Sequence, residues 1–269
     1  MLDSLINTLL VIGGPLLVVA GLYVYLSLYR QVAAGHSGAA ALGERQFGFP
    51  EALTAALLIG WFALNVAAAS KMPQPTFQTR DLLVTGGFSL AVISVLVALL
   101  QLRGFSVLGL AGFSRLGFGR IVSTAAVLLF AAYPLIFAAD GISRRLLDEG
   151  SSRQQIVEMF TGSETLQQRI LIIVLAITIA PFAEEFIFRF FLYGVLKRYL
   201  GRGAGLVLNS LFFAAVHVHL PSLGPLFILG GCFTLAYEWS GSILVSMTMH
   251  ALFNFLALSA LAFPNLLPQ

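Results

Sequence analysis

Two adjacent carboxylates, Glu184 and Glu185, sit with Arg189 inside an apolar run that begins near Ile170 and ends near Leu196. Charged groups at membrane depth cost roughly 2.5–3.5 kcal/mol each on insertion scales. A chain keeps them there when they pair or when they do chemistry. Glu185 and Arg189 are spaced i,i+4, so one helix face carries both and an ion pair can form. Glu184 points about 100° away around the same helix. It is the carboxylate left over, and therefore the candidate for chemistry. Pro181 should kink the helix just before the acids, opening backbone and room beside Glu184.

Few other ionisable groups lie in the apolar runs. His217 and His219 fall near the end of the next run, and His250 lies in the last, with Asn254 on its helix face at i+4. A carboxylate and two imidazoles, Glu184, His217 and His250, arriving from three helices can do general acid–base chemistry on a water. His250 and Asn254 together can donate hydrogen bonds to a developing oxyanion. Both jobs belong to amide-bond hydrolysis. A single intramembrane histidine often serves only as an interhelical hydrogen-bond partner. Four polar residues gathered in the last third of the chain argue for a site. His219 is two residues from His217, faces another way, and reads as a rim residue beside the Leu220-Pro221 turn.

Glu184, His217 and His250 would also make a His2Glu set suited to zinc. The H-E-x-x-H helix of site-2-type metalloproteases is absent from the sequence. The expectation is no cofactor, with zinc as the alternative. Gly35-His36-Ser37-Gly38 matches the G-x-S-G string of rhomboid serine proteases, but in a charged loop instead of a buried helix start. The presenilin pair of membrane aspartates is missing too, since Asp81 and Asp140 fall at span ends.

The elements that must position these groups follow from composition. The chain has 269 residues, 58% hydrophobic and 10% charged, with a mean hydropathy of +0.92. A soluble domain carries about 25% charged residues. The sequence reads as an all-α, polytopic integral membrane protein, a bundle of about eight transmembrane helices with an intramembrane catalytic cavity. The spans lie near 5–29, 51–70, 81–101, 119–139, 170–196, 203–219, 222–238 and 242–263. They form a single membrane domain. Residues 1–169 supply the N-terminal spans and an amphipathic loop, and 170–263 the motif-bearing core. The first apolar run is too long for a signal-peptide h-region and reads as a retained span.

Within the loop near 140–169, Ser152 and Gln155 have capping-box spacing for a short surface helix. Glu238 beside Trp239 reads as an interfacial anchor. The net charge of +3 comes from loop lysines and arginines, which gives nucleic-acid binding little support. The single Cys232 can make no intrachain disulfide. The expected partners are the lipid bilayer and a membrane-associated protein or peptide. The expected location is a cell membrane, multi-pass, with the Ala- and Gly-rich spans fitting a bacterial inner membrane. A slight excess of loop Lys and Arg places both termini outside.

Three strings now stand in order: Glu184-Glu185-Phe186-Ile187-Phe188-Arg189, Phe213-Ala214-Ala215-Val216-His217 and His250-Ala251-Leu252-Phe253-Asn254. They match E-E-x-x-x-R, F-x-x-x-H and H-x-x-x-N. Over about residues 170–260 the chain resembles the CAAX-protease and bacteriocin-processing family of intramembrane endopeptidases, called Abi or CPBP proteins. The resemblance implies an eight-helix bundle with a cavity within the membrane. It implies Glu184 as general base on water, helped by His217, with His250 and Asn254 holding the oxyanion. Glu185, Arg189 and Phe213 would support the site. Phe190 stands where many members have Gly, and would narrow the cavity. Two other readings stay open: a non-enzymatic immunity or scaffold protein of the same family, and a proton-coupled transporter using Glu184 and the histidines as a relay. No inverted repeat favours the transporter.

Overall fold

The computed structural model describes residues 2–35, 38, 46–69, 79–147, 160, 162–163 and 165–263. The Ser152–Gln155 capping box and the His36-Ser37 step lie outside them. Every long element is a helix: α1 (Leu2–Ala33), α2 (Phe49–Ala69), α3 (Thr79–Leu102), the one-turn α4 (Val107–Leu110), α5 (Phe118–Leu147), α6 (Leu166–Ala215), α7 (Leu223–Ser240) and α8 (Ile243–Ala262). This is what a bilayer demands, because main-chain polar groups in lipid must be satisfied within their own segment. Among the described residues, seven helices are long and apolar enough to span a membrane.

The expectation was about eight spans, and the difference lies in α6. At 50 residues a straight helix would run about 75 Å, against a hydrocarbon core of about 30 Å. The chain breaks at Gly201, whose φ of 82° and ψ of 169° are not helical. A Cβ there would face the strain that glycine avoids at positive φ. The two arms fold back on each other. Phe188 in the first meets Phe213 in the second edge-on at 5.3 Å between ring centroids. The arms coincide with the fifth and sixth spans read from sequence.

Polar pairs hold this bend in place. Lys197 Nζ lies 2.5 Å and Arg202 Nε 3.6 Å from Glu238 Oε1 at the end of α7. Arg202 also donates to the Val32 carbonyl at the end of α1. Glu238 is 1% exposed, so the interfacial role expected of it is corrected. It is the buried acceptor that ties α6 to α7, while its neighbour Trp239 donates to Gln31 of α1. At the same end Glu51, fully buried, pairs with Arg103 at 3.1 Å. Elsewhere α5 packs against α1, α7 and α8, with the Tyr25 hydroxyl donating to the Leu128 carbonyl. The turn between α7 and α8 docks on α4 through Ile243 N–H to the Ala111 carbonyl at 2.9 Å.

The hairpin makes a direct prediction. A Cβ on Gly205 would come within 2.9 Å of Lys197 N and 3.1 Å of Lys197 Cα, whereas one on Gly203 meets only the Tyr29 hydroxyl at 3.5 Å. Gly205→Ala is expected to lower stability by about 1–3 kcal/mol, read as a lower unfolding temperature in detergent. Gly203→Ala should leave it unchanged or slightly higher.

Candidate active site

The first arm of α6 is not a regular helix. Residues Leu175–Ile179 and Glu185–Leu192 are π-helical, on either side of the short α-helical piece Ala180–Glu184. The sequence predicted a proline kink, and Pro181 accounts for part of what forms instead. Ala180 N–H reaches back to the Leu175 carbonyl, an i to i−5 bond. The next carbonyl, Ala176, would take its bond from residue 181, which as proline has no N–H. Asn254 of α8 supplies it, with Nδ2 donating to the Ala176 carbonyl at 2.8 Å. Single π turns recur at functional sites because they re-aim the side chains that follow.

Those side chains are the two glutamates, and they part company at once. Glu185 and Arg189 are both fully buried, with Nη1 3.0 Å from Oε1. The same oxygen accepts from His250 Nδ1 at 3.0 Å. Glu185 therefore serves two partners, one of them 65 residues away in sequence. Glu184 keeps 31% of its side chain exposed. Its Oε2 lies 3.9 Å from His217 Nε2 and 3.9 Å from His250 Nε2. That is too long for a hydrogen bond, and it is a spacing at which one water can bridge.

Each imidazole is oriented from behind. His217 Nδ1 lies 2.7 Å from the Phe213 carbonyl. A carbonyl only accepts, so Nδ1 carries the proton, and in the neutral ring Nε2 presents its lone pair toward Glu184. His250 likewise donates Nδ1–H to the Glu185 carboxylate, which leaves Nε2 facing the same oxygen of Glu184.

Aromatic rings close the arrangement. The Arg189 guanidinium lies 4.0 Å from the centre of the Phe213 ring and 5.2 Å from that of Phe233. Phe233 also stacks on His250 at 5.1 Å. Desolvated cation–π contacts contribute about 2 kcal/mol each, which offsets part of the cost of burying Arg189. Phe213 thus has two roles: its carbonyl orients His217 and its ring covers Arg189.

Glu184, Phe213, His217, His250 and Asn254 all line one cavity of about 240 Å³. Glu185 and Arg189 stand behind its wall. Sequence reading missed several contributors. Thr85 of α3 lines the cavity, although the first third of the chain looked empty of chemistry. Phe233 carried no periodic or motif signal. His219, expected to face away from His217, lines the same cavity, together with Ser222. Phe190 is fully buried and packed on Phe186 at 4.9 Å. The cavity wall is formed by other residues, so the expected narrowing does not occur. Val218, between the two histidines, has φ of 50°. For a β-branched residue that is a true outlier, and such strain costs about 1–3 kcal/mol.

The buried pair yields a prediction. Arg189→Met leaves Glu185 without its cation and should cost about 3–5 kcal/mol, seen as a large fall in unfolding temperature. Replacing both partners, Glu185→Gln with Arg189→Met, should recover part of that loss. Glu184→Gln should stay within about 1 kcal/mol of wild type, since its side chain is 31% exposed and its Oε2 has no hydrogen-bond partner to lose.

The sequence that builds the cavity has a counterpart among known families. Residues 166–256 match the family model described as type II CAAX prenyl endopeptidase Rce1-like. No curated protein and no solved structure matches the chain. The matched segment contains both arms of α6, all of α7 and the part of α8 that carries His250 and Asn254. It holds every polar cavity residue except Thr85. Over residues 166–256, the stretch that builds the cavity, this multi-pass membrane protein is similar to the Rce1-like family of CAAX-type endopeptidases.

Proposed function

We propose that the protein is an intramembrane endopeptidase that hydrolyses a peptide bond of a membrane-associated protein or peptide, with Glu184 as its base. The observation that carries this reading is the division between adjacent carboxylates. Glu185 is buried and engaged by Arg189 and His250, while Glu184 is half-open and faces two imidazole nitrogens at 3.9 Å.

In this reading a water sits between Glu184 and His217 and donates one hydrogen to each. Glu184 takes the proton as the water oxygen bonds to the scissile carbonyl carbon. The carbonyl oxygen becomes an oxyanion. His250, protonated over Glu185, donates Nε2–H to it, and Asn254 offers the amide hydrogen not held by the Ala176 carbonyl. The tetrahedral intermediate then collapses. Its C–N bond breaks, and the proton held on Glu184 passes to the leaving amine.

The reading routes no step through a metal. Among the described residues no group of three His, Cys, Asp or Glu side chains is arranged to hold one. The matching family model is that of a type II CAAX prenyl endopeptidase, which makes a farnesylated peptide the natural first probe. We place the protein in a cell membrane, with a bacterial inner membrane as the compartment its Ala- and Gly-rich spans fit.

The test uses purified full-length protein in detergent, with quenched fluorescent peptides carrying or lacking a farnesyl group. Glu184→Gln is expected to cut turnover by at least about 10³-fold, and His250→Ala by about 10²–10³-fold. Cleavage should survive o-phenanthroline and EDTA. Loss of activity in chelator, restored by zinc, would instead assign Glu184, His217 and His250 as metal ligands. Undiminished cleavage by Glu184→Gln would overturn the reading.

A further inference from the structure

The chain between α6 and α7 places a second histidine in the cavity. His219 Nδ1 lies 2.7 Å from Ser222 Oγ. Ser222 is 1% exposed and directly precedes α7, so its hydroxyl is held by the packed helix start. The left-handed conformation at Val218 lets His217 and His219, two residues apart, both face the cavity that contains Glu184. A regular helical backbone would turn them to different sides. The next residue, Leu220, is 63% exposed, which puts His219 at the outer end of the cavity, beyond His217.

The partner of His219 says what the ring can bind. Behind His219 is a hydroxyl, which can donate or accept and so matches either ring tautomer. With Nδ1 engaged by Ser222, Nε2 is the ring's remaining polar atom, and it can donate to a main-chain carbonyl or accept from a main-chain N–H. The peptide reading of this cavity supplies such groups on both sides of the scissile bond.

Resting on that reading, we propose that His219, fixed by Ser222, is a substrate-positioning residue that holds a main-chain amide group of the bound peptide at the cavity mouth. It does not touch the reacting carbonyl. Its contribution is made equally in the ground and transition states, so it lowers KM and leaves kcat alone.

The experiment uses full-length protein in detergent and the quenched peptide that wild type cleaves. His219→Ala is expected to raise KM about three- to tenfold, the loss of one hydrogen bond to a neutral partner, with kcat within about twofold of wild type. Ser222→Ala should shift KM the same way by a smaller factor. His219→Asn, which keeps an amide, should recover part of the loss. In a Glu184→Gln background, anisotropy of the same labelled peptide should show binding weakened by the same factor when His219→Ala is added.

Unchanged KM and binding would overturn the proposal. So would a fall in kcat at constant KM, which would make His219 catalytic. An unfolding temperature that drops in step with the KM change would make the pair a structural strap. If His219→Ala does not fold, His219→Asn and Ser222→Ala are judged by the same criteria. Failure of wild type to cleave any peptide would defeat the peptidase reading, while binding by the Glu184→Gln protein reports on His219 without turnover.

Discussion

A carboxylate buried in a membrane bundle must be matched by charge and by hydrogen bonds, and Glu185 is matched by both Arg189 and His250. Desolvating an ion pair costs several kcal/mol per ion, and only good geometry repays it. Much of the core follows from this one requirement. Phe213 and Phe233 cover the guanidinium. The Gly230 carbonyl accepts from Arg189 Nη2 and also from Thr234, which in turn accepts from Asn209. The α6 hairpin exists in a form that brings Phe188, Arg189 and Phe213 into one layer. The bend at Gly201 is pinned by a second buried acid, Glu238.

Arg189 and His250 both engage Glu185 through Oε1 and leave Glu184 outside that cluster. The two residues are neighbours in sequence and in composition they are identical. The helix turns one toward the core and the other toward a cavity, and their side chains end at 0% and 31% exposure. His250 lies between the two environments, with Nδ1 3.0 Å from Glu185 Oε1 and Nε2 facing Glu184 Oε2 at 3.9 Å.

The local part of this arrangement was legible in the sequence. The i,i+4 spacing of Glu185 and Arg189 forms the ion pair expected of it. The F-x-x-x-H spacing proves to be the i,i+4 reach of a ring nitrogen to the Phe213 carbonyl. The eight apolar runs match seven helices because two of them are joined through Gly201. The long-range part was not legible. Nothing in periodicity says that residue 250 meets residue 185, that Glu238 meets Lys197, or that Asn254 repairs a carbonyl left bare by a proline 73 residues earlier. Reading Pro181 as a simple kink assumed a 3.6-residue period on both sides. The π turns shift that period and decide which face carries Glu184. The facing of His219 was misread because the two-residue spacing rule presumes a helix, and Val218 departs from it.

The most direct measurement is mass spectrometry of new peptide ends in host membranes, comparing wild type, Glu184→Gln and an untransformed control at matched protein levels. The account predicts new ends at or near membrane-spanning segments with wild type, and none above control with Glu184→Gln, although that variant accumulates and folds as wild type does. The same new ends with Glu184→Gln as with wild type would contradict it, and the paired acids would then be explained as helix–helix contacts alone.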